Sequence, residues 1–67
     1  MIEEIRRQLF ANQNMIVEVM TKHQTRIQGK LTWLSPDRSM AEITLHDGQI
    51  KTITDIDIKN VVALEKA

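Results

Sequence analysis

The side chains able to do chemistry are few. His23 and His46 are the only histidines, and there is no cysteine. A metal centre needs three or four converging ligands, and neither histidine stands in a ligand spacing such as HExxH. Asp47 beside His46 reads as part of an Asp-Gly turn. Asp55 and Asp57 are two carboxylates two residues apart. A calcium loop would require more oxygen ligands and a glycine at a set place, so these two read as turn residues or as the cap of a single helical turn. No GxSxG, P-loop or GxGxxG stretch occurs. The residues therefore predict no catalytic group, no cofactor and no metal site: the protein is not expected to be an enzyme.

Trp33 is the one tryptophan, and with Phe10 it makes up the aromatic complement. As an inward residue of a strand, Trp33 is expected to plug a thin core; exposed, it would be the first anchor for a partner. Two aromatics are too few for a base-stacking platform.

Charge points the same way. Nine basic residues balance nine acidic ones, for a net charge of zero. Non-specific nucleic-acid affinity comes mostly from neutralised phosphates, so only weak or indirect contact with nucleic acid is expected. A neutral small domain associates readily with itself or with another protein. The first ten residues mix two acids with two arginines and form no signal-peptide pattern, and no apolar run is long enough to span a bilayer. With cysteine absent, the expectation is a cytoplasmic protein away from membranes.

The elements that position these residues follow from periodicity. Ile2, Ile5, Leu9 and Phe10 fall on one face of a helix over about 2–11, with Glu3 and Glu4 at its positive end. Asn12, Gln13 and Asn14 end it. From residue 15 the period becomes two. Met15, Val17 and Val19 face one way on a first strand. On the second, Ile27, Gly29, Leu31 and Trp33 alternate with Arg26, Gln28, Lys30 and Thr32. Gly29 is costly there unless the strand bends, as strands of small barrels must. Ser35-Pro36-Asp37-Arg38 is a turn, Ala41, Ile43 and Leu45 are the inward positions of a third strand, and Asp47-Gly48 marks a hairpin to a fourth at Ile50–Thr54. After Asp55-Ile56-Asp57 a last strand covers about 59–64, with Glu65, Lys66 and Ala67 expected to fray.

Sixty-seven residues make one domain, 1–67, with the helix at about 2–11 and the barrel at about 15–64. The predicted fold is mainly β: a short N-terminal helix and then five antiparallel strands curling into a half-open small barrel. Such a barrel cannot bury both faces of its first and last strands. Ile16, Met20, Val62 and Leu64 lie on the faces that the core does not claim, and are the predicted partner or self-association surface.

Several stretches carry a family resemblance. They are Asn14-Met15-Ile16-Val17-Glu18-Val19, Arg26-Ile27-Gln28-Gly29-Lys30-Leu31, Ala41-Glu42-Ile43-Thr44-Leu45-His46-Asp47-Gly48 and Ile53-Thr54-Asp55-Ile56-Asp57-Ile58. Together they resemble the YolD-like family over roughly residues 10–64. The resemblance implies an Sm-like fold and an accessory role, through protein–protein contact, for a Y-family error-prone DNA polymerase in the DNA-damage response. The alternative is an Sm-like RNA-binding or ring-forming protein, which would want a basic site and loop aromatics. Lys22, His23, Lys30 and Arg38 are scattered instead.

Overall fold

The computed structural model describes residues 2–66. Helix α1 spans Ile2–Ala11, and five strands follow: β1 (Met15–Thr21), β2 (Arg26–Leu34), β3 (Met40–Thr44), β4 (Ile50–Thr54) and β5 (Ile58–Lys66), with one 3-10 turn at Asp55–Asp57 before β5. All neighbours pair antiparallel in a single sheet of order β4-β3-β2-β1-β5. The ends of the sheet, β4 and β5, are not bonded to each other, which leaves a half-open barrel closed over by α1. This is the mainly β architecture that the alternation predicts.

Local chemistry accounts for most of the connections. Asn14 takes a left-handed φ of 64° after α1, and the Asn12 side chain donates to the Gln8 carbonyl at 2.7 Å. Asparagine tolerates that geometry, so the helix stops there. At the β3–β4 hairpin Gly48 has φ 91°, its N–H reaches the Leu45 carbonyl at 2.9 Å, and Asp47 Oδ1 accepts from the Gln49 amide at 3.0 Å. The Leu45 amide donates to the Gln49 carbonyl at 2.7 Å, which closes a three-residue loop, His46 to Gly48, whose left-handed glycine keeps the strands in register.

The core gathers Leu9 of α1, Val17 and Val19 of β1, Leu31 of β2, Ala41 and Ile43 of β3, Ile53 of β4, and Ile58 and Val61 of β5. Gly29 allows it to close. A Cβ there would lie 2.8 Å from Ile43 Cγ2 and closer still to the Thr44 carbonyl oxygen, so the backbone of β3 comes unusually close to its neighbour β2 at this glycine.

Three expectations are corrected. Only Ile5 and Leu9 of the helix's apolar face are buried; Ile2 and Phe10 are about half exposed, and Phe10 lies beneath Arg38 instead of in the core. β5 does not stop near residue 64 but runs through Lys66, where it pairs with Met15; Ala67 lies outside the described residues. Trp33 does not plug the core and is 44% exposed. The register passes from Leu31↔Ile43 to Trp33↔Glu42, so Thr32 is an extra residue on β2. Beyond that bulge the alternation reverses, Leu34 turns toward the core, and Trp33 turns outward.

Candidate functional site

Among the described residues, no group of three or more histidines, aspartates or glutamates is gathered as metal ligands would be. His23 and His46 sit in separate exposed turns. The His23 amide donates to Thr21 Oγ1 at 3.2 Å, which is part of the turn's own bonding. No described helix is long and apolar enough to cross a membrane.

The aspartates are structural, each in a different way. Asp57 accepts from the Thr54 hydroxyl at 3.0 Å, across the 3-10 turn. Asp55 is buried, and its Oδ2 accepts from Arg6 Nε at 2.6 Å. That pair joins α1 to the turn before β5, across 49 residues of sequence. Its hydrogen bond raises the Arg6 guanidinium pKa further above its ordinary value. No local motif announces the pairing, because both partners look like ordinary surface charges in the sequence. Asp37 organises the β2–β3 turn: its Oδ1 accepts from Ser39 Oγ at 2.7 Å, the Ser39 amide at 3.0 Å and Ser35 Oγ at 2.9 Å. These donors, those of Ser39 foremost, hold its pKa down at about 2. Arg38, in the same turn, stacks over the Phe10 ring at 3.9 Å, so α1 is tied to this turn as well.

The four residues predicted as an interface come together on the outer face of β1 and β5. Val17 and Val19 point into the core, so Ile16, Glu18 and Met20 point away from it. Glu18 stands opposite Val62, and Met20 opposite Asn60. A bulge between Ile16 and Val17 leaves Leu64 without a strand partner, and it lines a shallow groove together with Ile16. None of the four belongs to the core cluster. Val62 and Leu64 are 45% and 48% exposed, while Ile16 and Met20 are partly covered by their neighbours.

Glu18 lies in the middle of this apolar surround. Its Oε2 accepts from Gln28 Nε2 at 2.8 Å, which satisfies one oxygen and fixes the side chain toward β2. Arg26 and Lys30, opposite Met20 and Ile16, border the patch on the β2 side. The groove that Ile16 and Leu64 line is open to solvent, and Glu18 and Gln28 are its bonded polar pair. The arrangement can do what an apolar surface rimmed by charge does, which is to lose its water against a complementary protein.

Comparison with known proteins bears on the fold. No family model and no curated protein matches the chain. A chain in a solved structure of the Dcp1:Dcp2 mRNA decapping complex and its activation by Edc3 and Scd6 is similar, with a TM-score of 0.72 and 24% identity. The match covers 87% of this chain and 60% of that one, so the protein spans about three-fifths of its neighbour's length. The likeness establishes a shared small-barrel architecture.

Proposed function

We propose that the protein is a non-catalytic binding module that docks on another protein through the outer face of β1 and β5. The observation that carries this reading is the placement of Ile16, Met20, Val62 and Leu64 on one face outside the core, next to the free edge of an end strand. Apolar residues on such a face are stabilised by covering, and β5 has no proline, and no charge from Asn60 to Leu64, to discourage it. The structural neighbour, drawn from a multiprotein assembly, supports a binding role for this kind of barrel. The resemblance to the YolD-like family gives the partner as a Y-family DNA polymerase, with the module stabilising or activating it in the DNA-damage response. Alone, the same face brings two or more copies together.

Two measurements test this. Sedimentation of the purified protein over a wide concentration range is expected to show a homodimer or larger species, and Met20→Glu with Leu64→Lys is expected to give a folded monomer. Co-purification with a Y-family polymerase is expected for the wild type and lost in the same double variant. A wild type that is strictly monomeric, together with undiminished capture by the variant, would remove this face as the docking surface.

A further inference from the structure

Trp33 and Glu42 are cross-strand partners on the outer face of β2 and β3. Residues so paired have Cβ atoms about 5 Å apart. The bulge at Thr32 creates the pair, since without it Trp33 would point inward. Bulges commonly re-aim a side chain for use. The extra residue is itself tied down: the Thr32 hydroxyl lies 2.8 Å from that of Thr44 and reaches the Glu42 carbonyl at 3.4 Å. The exposed indole is therefore held by fixed backbone.

Glu42 is partly buried against this surface. The ion pairs among the described residues are Arg6–Asp55 and Arg7–Glu4, and neither involves Glu42. Lys30 is one step away diagonally, opposite Thr44, and forms no ion pair with it. Met40, two residues before Glu42 on the same face and 39% exposed, adds an apolar rim. A half-exposed indole, a carboxylate with no ion-pair partner among the described residues and an apolar border thus stand side by side.

We propose that Trp33 and Glu42 form an anchor for an arginine side chain of a partner protein. A guanidinium is planar and always charged, stacks on aromatic faces, and donates two parallel hydrogen bonds to a carboxylate. At cross-strand spacing one guanidinium can touch the ring and the carboxylate together. The molecule already uses half of this device internally, where Arg38 stacks on Phe10. Glu42 disfavours a phosphate at the same place, so the anchor selects a basic peptide and not a nucleic-acid strand. The inference rests on the reading of the chain as a protein-binding module but uses other residues, on the β2–β3 side of the sheet's outer face, than the β1–β5 patch.

Trp33 is the sole tryptophan, so indole emission reports on this site directly. The probes are a blocked glycine-arginine-glycine tripeptide and its citrulline counterpart, which keeps the shape and removes the charge. The arginine peptide is expected to change the emission saturably, with half-saturation on the order of 10⁻³ M for so small a ligand. Citrulline is expected to bind roughly tenfold more weakly, and Glu42→Gln to weaken the arginine peptide roughly fivefold. The Glu42 side chain makes no ion pair within the described residues, so the melting midpoint of Glu42→Gln should match the wild type and exclude misfolding as the cause. Equal binding of the two peptides, no saturable response, or full binding by Glu42→Gln would each overturn the proposal. The Met20→Glu, Leu64→Lys variant keeps the anchor intact, so a titration that fails while that variant behaves as expected condemns the anchor and leaves the β1–β5 face standing.

Discussion

Gly29 is where a single methyl group should do most harm. A Cβ at this position meets Ile43 Cγ2 at 2.8 Å, the Thr44 carbonyl carbon at 3.0 Å and the Thr44 oxygen nearer still. The isoleucine methyl could rotate away, but the carbonyl belongs to the backbone of β3 and cannot move without its strand. Relief requires β2 and β3 to part beside the Lys30↔Thr44 pairing. Overpacking of a closed site costs about 1–3 kcal/mol, and a ladder hydrogen bond lost with it about 1 kcal/mol more. We expect Gly29→Ala to destabilise by about 3 kcal/mol, which lowers the midpoint of a domain this small by about 15 °C. A chain of this length has only about 3–10 kcal/mol of stability in all, so the bulkier Gly29→Val should leave much of the protein unfolded at 37 °C. Thermal melts followed by circular dichroism measure both. Gly48→Ala is the control, because a Cβ there meets nothing within 4 Å and the cost is only that of holding φ near 91°, roughly 1–2 kcal/mol. Were alanine at 29 to melt within a few degrees of the wild type, the close approach of β3 to Gly29 would be refuted.

Removing Arg6 leaves the buried Asp55 carboxylate without its donor, whereas removing Asp55 leaves a guanidinium that water can reach. Arg6→Met should therefore lower the melting midpoint more than Asp55→Ala, and the double variant should recover part of the Arg6→Met loss; strictly additive losses would mean the pair is not coupled. Asp37 has its pKa depressed to about 2 in the folded state, so the stability it contributes is complete above the unfolded value of roughly 3.9 and is lost as the pH falls toward 2. Its carboxyl resonance should titrate near 2, and the stability of Asp37→Asn should fall less steeply than the wild type between about pH 4.5 and 2; parallel profiles would contradict the bonding at Ser35 and Ser39. With no net charge, binding to random DNA or RNA at physiological salt should be no tighter than roughly 10⁻⁵ M. Submicromolar affinity in an anisotropy titration would favour a nucleic-acid role over a protein partner.

The sequence by itself determined the elements and most of their joints. Alternation in Met15–Thr21 and Met40–Thr44 follows from the two-residue period of a strand, and Asn14 and Gly48 mark left-handed positions by residue type alone. Gly29 stood out as a special position, because a glycine among inward strand residues is costly unless the backbone needs it; the structure gives the need as the close approach of Thr44. The apolar excess that places Ile16, Met20, Val62 and Leu64 outside the core was legible too, since a strand cannot bury both of its faces in so thin a barrel. Tertiary structure alone decided three matters. One is the facing of Trp33: a bulge reverses every side chain beyond it, and Thr32 is placed by the curvature that β2 and β3 must share and not by its own propensity. The second is which residues of α1 reach the core: Ile5 and Leu9 do, while Phe10 stacks beneath Arg38, because packing against the sheet and not helical periodicity selects among the apolar positions. The third is the role of Asp55. Its partner is 49 residues away, and an ion pair of that separation exists only once the helix lies across the end of the sheet.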